Sequence, residues 1–151
     1  MGLISLAAGI AGTYLGAILK FRNDLKAKYD DDLRKMRICA YRKLWELTEP
    51  FAIYSPPGLL TYDELKEMSS KKREWYFRTG GWLLSSNCRD SYFSFQKKIK
   101  EVLEIATQNH KDSNRLDDTV LDDLKPKCSE LRTSICKDIG MRAKPAFRSK
   151  D

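Results

Sequence analysis

The sequence has few of the residue patterns that mark catalytic or metal sites. It contains one histidine, His110, in a polar stretch without an evident partner, and four cysteines with no CxxC pair and no zinc-ligand spacing. No nucleophile elbow, phosphate-binding glycine loop or HExxH motif occurs. The sequence therefore lacks the usual signatures of hydrolases, nucleotide-binding enzymes and zinc proteins. We therefore predict that the protein is not an enzyme and carries no metal and no cofactor.

Residues that break helices are also scarce, with five prolines and eight glycines in 151 residues. Neither type occurs between Gly16 and Pro50, so helical spacing runs through this stretch without interruption. After the N-terminal stretch, apolar residues recur every three or four positions, as on one face of a helix. The predicted fold is all-α, with a single N-terminal membrane-spanning helix that continues into a cytoplasmic bundle of about four helices.

Charge is missing from Leu3–Leu19. A helix over this stretch is roughly 26 Å long at about 1.5 Å per residue, close to the bilayer hydrocarbon core of about 30 Å. No basic residue precedes it and the helical pattern continues beyond it, which argues against a cleaved signal peptide. The alternatives are a buried core helix and a helix lying in the membrane interface. We predict a transmembrane segment over residues 1–20.

The charge on the two sides of this segment predicts its orientation. Lys20, Arg22, Lys26 and Lys28 follow it, and the Lys- and Arg-rich flank of a span stays in the cytoplasm. The four cysteines fall in or near apolar helical stripes, which favours buried, reduced thiols over disulfides. We therefore predict a cytoplasmic helical domain over 21–140 and a basic flexible tail over 141–151.

Within the domain, apolar spacing and helix-ending residues predict the individual helices. A second helix is expected from Tyr62 to Phe77, with a capping box formed by Thr61 and Glu64 and with Gly80-Gly81 supplying positive φ at its end. A third is expected from Ser86 to about Gln108, and a fourth from after Asn114 to Gly140, where Pro126 predicts a kink or a closely abutted second helix. The first helix should pack through an apolar stripe formed by Tyr29, Leu33, Met36, Ala40, Leu44, Leu47 and Phe51.

Two local stretches stand out. The segment EWYFRTGGWLLS, residues 74–85, places four aromatic residues around a diglycine. Such a cluster favours a packed helix–helix corner; a stacking surface for bases, assisted by Arg78 and Arg89, is the alternative. The segment Asp138–Arg142 combines an acid, a glycine and a base, which fits either an ordinary helix end or an exposed site.

Three strings carry a resemblance: YDDDLRKMRICAYRKLWEL (29–47), LTYDELKEMSSKKREWYFRTGGWLLSSNCRDSYFSFQ (60–96) and LRTSICKDIGMRAKP (131–145). They resemble a family of small bacterial proteins with one N-terminal transmembrane helix and a cytoplasmic helical domain. The resemblance implies a single-pass protein of the bacterial inner (plasma) membrane with its C-terminal domain in the cytoplasm. It implies no activity and no functional residues.

The leading functional hypothesis is a membrane-tethered interaction or scaffolding module that acts through the bilayer and a protein partner. The alternative is a binder of acidic lipid headgroups or nucleic acid, although the evenly spread net charge of +7 argues against nucleic acid. Its candidate contacts are basic: Lys20, Arg22, Lys26, Arg142, Lys144, Arg148 and Lys150. A homodimer through the span is a further candidate, because Ala8, Gly12 and Gly16 form a row of small residues on one helix face.

Overall fold

The computed structural model describes residues 2–52, 60–108 and 115–141, with side chains from residue 14 onward. Within these ranges it contains four α-helices and no strand: α1 (Gly2–Glu46), α2 (Tyr62–Trp75), α3 (Ser86–Gln108) and α4 (Asp118–Asp138). A short 3₁₀ turn, Glu49–Phe51, follows α1. The prediction of an all-α fold is confirmed.

The chain divides into two compact units, residues 1–35 and residues 36–151. In the first unit, α1 side chains from Tyr14 to Asp32 are exposed, and Lys35 forms an ion pair with Asp31 one turn away. Across the part of the chain whose side chains are described, no helix is both long enough and apolar enough to cross a membrane.

In the second unit, α3 packs against both α2 and α4, and the core consists mainly of aliphatic and aromatic side chains. The fully buried members with the largest volumes are Trp75, Tyr41, Tyr92, Phe95, Leu44, Leu65, Ile99, Leu116, Leu124, Leu131 and Ile135. A backbone bridge between Thr61 and Arg115 ties the segment before α2 to the segment before α4.

The helix boundaries follow the sequence signals with one exception. Thr61 and Glu64 form the expected capping box, in which the Glu64 amide donates to Thr61 Oγ1 at 3.2 Å and the Thr61 amide donates to Glu64 Oε2 at 2.8 Å. Gly140, two residues after the end of α4, has a φ of 73°, and the amides of Ile139, Gly140 and Met141 donate hydrogen bonds back to the last turn of the helix. Helix α4 is a single helix with Pro126 inside it, so the alternative of two abutted helices is wrong.

The exception is the diglycine after α2. Gly80 has a φ of −128° and Gly81 a φ of −60°, so the prediction of positive φ at this position is wrong. A side chain at Gly80 would overlap the ring of Trp75, and one at Gly81 would overlap the backbone carbonyl of Tyr76. These glycines are needed because the chain passes close to its neighbours there.

The predicted stripe on α1 is buried only in its C-terminal half. Ala40, Leu44 and Phe51 lie in the core, whereas Tyr29 and Met36 are exposed, so their predicted burial is wrong. The period of the stripe specifies which face of the helix is apolar, and burial also needs a second element beside that face.

The cysteines are free thiols, as expected. Cys88 and Cys128 are buried, but Cys136 is half-buried and Cys39 is exposed, so the prediction of burial is wrong for Cys39. The next two residues, Ala40 and Tyr41, face the core. Because successive side chains point in different directions around a helix, Cys39 faces solvent.

Candidate functional site

The site that the structure assembles lies where α2 turns into α3. After Trp75 the chain forms one π-helical turn, Tyr76–Gly80, and one 3₁₀ turn, Gly81–Leu83, before α3 begins. Trp75 fixes the start of this corner: its indole Nε1 donates to the carbonyl of Ala40 at 2.8 Å. Its ring lies 6.2 Å from Tyr41 and 6.0 Å from Tyr92, measured between centroids.

Asp138, at the end of α4, fixes the other side of the corner. Its Oδ2 accepts a hydrogen bond from the Ser85 amide at 3.1 Å and lies 2.9 Å from the Tyr41 hydroxyl. That hydroxyl is also 2.8 Å from the Leu83 carbonyl oxygen and, having one proton, donates to one acceptor at a time. Arg37 Nε donates to the same Leu83 carbonyl at 2.8 Å. We call Arg37, Tyr41, Leu83, Ser85 and Asp138 the corner clamp.

The acid of the segment Asp138–Arg142 therefore makes internal contacts. Its carboxylate also lies near the N-terminus of α3, where Ser85 Oγ accepts from the Cys88 amide at 3.2 Å. Burial raises the pKa of the Cys88 thiol to about 12, and the negative charge of Asp138 adds to this effect. Burial and the hydrogen bond to Asp138 likewise raise the pKa of Tyr41. Both groups therefore stay protonated at neutral pH.

The outer side of the corner carries exposed aromatic rings. Phe77 is 71% exposed and Phe93, on α3, is 47% exposed. The half-buried Tyr76 ring lies between them, with centroids 5.2 Å from Phe77 and 5.1 Å from Phe93. The Arg73 guanidinium lies 5.9 Å from the Phe77 centroid. We call Arg73, Tyr76, Phe77 and Phe93 the aromatic face.

The prediction for the segment 74–85 holds for one side of the corner. Trp75 is buried and packed, as a helix–helix corner requires. Phe77 and Trp82, at 71% and 70% exposure, belong to the surface. Arg78, which was considered as an aid to base stacking, forms an exposed ion pair with Glu74 at 3.1 Å.

One buried group escaped the sequence analysis. Lys72 on α2 is fully buried, and its Nζ has no hydrogen-bond partner within the described structure. The Nζ lies 3.6 Å from the centroid of the Phe95 ring. Burial lowers the pKa of Lys72 to about 7. Its position between Met68 and Trp75 on the apolar row of α2 was the available signal, but lysines on such rows usually extend their amines to water.

The other predicted site residues are not brought together. Lys20, Arg22 and Lys26 are exposed on α1, and Gly16 has open space where a side chain would stand. For Ala8 and Gly12 only the helical backbone is described. His110 and the predicted basic contacts near the C-terminus lie outside the described residues; those contacts are Arg142, Lys144, Arg148 and Lys150.

Among the side chains that are described, no group of three or more His, Cys, Asp and Glu residues could hold a metal ion. Comparison with protein-family models, curated proteins and solved structures finds no match for this chain.

Proposed function

We propose that the protein is a membrane-tethered interaction module whose helical domain binds a partner protein through the aromatic face. A singly exposed apolar residue is ordinary on a protein surface. Here Phe77 and Phe93 are both exposed, both contact Tyr76, and have an arginine beside them. Aromatic residues and arginine are the types enriched at protein–protein interfaces and at their energetic hot spots. This cluster is the observation that carries the proposal.

Rigidity of the supporting corner favours binding over incidental exposure. The backbone beneath the face is fixed by the Trp75 indole, by the close approach of Gly80 and by the Asp138 hydrogen bond to Ser85. A surface whose backbone is already held in place loses less conformational entropy when a partner covers it. The corner thus has the properties of a preorganised binding surface.

The tethering half of the proposal rests on the sequence. Leu3–Leu19 has no charge, and Lys20, Arg22 and Lys26 follow it directly. In a bilayer this arrangement directs the domain to the cytoplasm, and the family resemblance points to a bacterial plasma membrane. The full-length protein should pellet with membranes after alkaline carbonate extraction, and a reporter fused after Asp151 should report a cytoplasmic location. Recovery in the soluble fraction would contradict the tether.

Photo-crosslinking tests the binding half. Benzoylphenylalanine is incorporated at Phe77 or Phe93 of the full-length chain in its native cells, with exposed Ser129 on α4 as the control position. Both aromatic positions should yield the same crosslinked partner protein after irradiation, and Ser129 should not. The interaction proposal fails if neither aromatic position gives a protein adduct above the control.

Binding of anionic surfaces is a second candidate, favoured by one observation. Lys20, Arg22 and Lys26 are exposed and make no ion pair with the side chains that are described. The full-length protein in neutral-lipid nanodiscs should then bind acidic vesicles with a steep salt dependence. Glutamine at all three positions should remove that dependence; unchanged binding would contradict this candidate.

A further inference from the structure

A groove beside the aromatic face runs between α2 and α3. Ser69 and Arg73 line it from α2, and Asp90, Phe93, Lys97 and Lys100 line it from α3. Its volume is about 730 Å³, within the range of surface sites that bind ligands. Phe93 and Arg73 belong to both the groove and the aromatic face, so one ligand could contact both.

The groove has a fixed floor. Gln96 crosses from α3 to α2, where its Nε2 donates to the Ser69 carbonyl at 3.0 Å and lies 3.2 Å from Ser69 Oγ. Tyr92, one turn earlier on α3, donates its hydroxyl to the Lys72 carbonyl at 2.9 Å. These bonds join the two helices directly beneath the groove, so its width is set before any ligand arrives.

The charges along the groove are mostly positive. Among the described side chains, Lys97 and Lys100 pair with carboxylates one turn away on their own helix, at 4.0 Å and 3.4 Å, and these exposed pairs are weak. Arg73 has no ion pair with the described side chains; its guanidinium lies against the Phe77 ring instead. Asp90 is the one acid among the lining residues. Three cations are therefore available to an incoming ligand.

We propose that this groove binds an acidic segment of the partner protein. Carboxylates of the segment contact Arg73, Lys97 and Lys100, and an apolar side chain of the segment packs on Phe93 and Phe77. A bidentate carboxylate suits the free guanidinium of Arg73. A protein segment fits better than a nucleic acid because a continuous phosphate backbone would face the Asp90 carboxylate, where a peptide can place a backbone amide. This inference rests on the proposed interaction function.

The test is selection of peptides by the full-length protein held in neutral-lipid nanodiscs. The probe is a random twelve-residue peptide library, and wild type is compared with Arg73→Glu and with Lys71→Glu. Lys71 is exposed, lies on α2 and takes the same charge change, but it is not among the residues that line this groove. Selected peptides should be rich in Asp and Glu with an apolar residue, and should bind Arg73→Glu about tenfold or more weakly than Lys71→Glu.

Two results would overturn the inference. One is selection of neutral or basic peptides, or of acidic peptides that bind Arg73→Glu as well as wild type. The other is a single-stranded oligonucleotide that binds wild type and loses binding with Arg73→Glu, because the groove would then recognise nucleic acid. The Phe77 crosslink, measured with and without Arg73→Glu, separates the two proposals. A partner adduct that persists in the variant leaves the interaction function standing and removes the acidic segment, whereas no adduct in either removes the interaction function.

Discussion

Replacing Lys72 with methionine should stabilise the protein, and most strongly at low pH. The Lys72 Nζ is fully buried against the Phe95 ring and has no hydrogen-bond partner within the described structure. Methionine keeps an unbranched stem of similar length and removes the amine. The substitution therefore preserves packing and removes the cost of burying an ionisable group.

The magnitude follows from the shifted pKa. Burial lowers the pKa of Lys72 from 10.5 to about 7, and each pH unit between these values corresponds to about 1.36 kcal/mol. Between them the unfolded chain binds a proton that the folded chain does not, so the free energy of unfolding rises with pH, by about 5 kcal/mol in all. Below pH 7 both states are protonated and the cost is complete. Because the face of the Phe95 ring attracts an ammonium and offsets part of the burial cost, the value of about 5 kcal/mol is an upper limit.

The assay is urea unfolding of the full-length protein in a nonionic detergent, for wild type and Lys72→Met. The variant should be more stable by up to about 5 kcal/mol at pH 6 and about 3 kcal/mol at pH 8, with less than about 1 kcal/mol remaining at pH 10. Lys71→Met is the matched control. That neighbouring lysine is exposed and forms a surface pair with Glu67, so the control should change stability by less than about 1 kcal/mol without this pH trend.

The reasoning would be refuted by either of two results. If Lys72→Met is less stable than wild type at pH 6, the folded protein stabilises the Lys72 ammonium, and the inferred cost of burying it is wrong. If the difference between the two proteins is the same at pH 6 and pH 10, Lys72 does not change its protonation on unfolding.

Three further outcomes are expected. Gly80→Ala should destabilise the protein by about 1–3 kcal/mol in the same assay, because a methyl group there overlaps a packed indole; an unchanged midpoint would contradict the close approach. Leu44→Asp should abolish cooperative unfolding because it buries a carboxylate, while exposed Arg42→Asp should cost less than about 0.5 kcal/mol; equal effects would mean that the buried face is misassigned. Cys39 should react with a maleimide in the native protein, whereas Cys88 should react only after unfolding; rapid native labelling of Cys88 would show that the corner opens.

The sequence predicted the helices well because their signals are local. A capping box, a glycine at a helix end and a period of three to four residues each depend on neighbours within one or two turns. This is why the N-cap of α2 at Thr61 and the positive-φ glycine just after α4, Gly140, agree with the structure. Pro126 shows the limit of such signals, since a helix held by tertiary packing can contain it.

The predictions that were wrong concern features that depend on distant parts of the chain. Whether Tyr29 and Met36 are covered is decided by which elements pack beside α1, and whether Lys72 reaches water is decided by α3 and α4. The conformation of Gly80 is set by the indole packed against it, and no local pattern specifies that contact. The corner clamp joins Arg37, Leu83 and Asp138, which are far apart in the sequence. Local residue spacing therefore could not predict it.

The clamp joins residues from distant parts of the chain, which bears on how the exposed rings should be understood. Asp138, at the end of α4, accepts a hydrogen bond from the Ser85 amide, and the Tyr41 hydroxyl on α1 lies within hydrogen-bond distance of both Asp138 and Leu83. Burial and the hydrogen bond to Asp138 raise the pKa of Tyr41, so its hydroxyl keeps its proton and acts as a donor. What they fix is the backbone from which Phe77 and Trp82 project into solvent. A buried polar network that holds an aromatic surface in one conformation lowers the entropy lost on binding, and this consequence links the clamp to the partner-binding role proposed for the aromatic face.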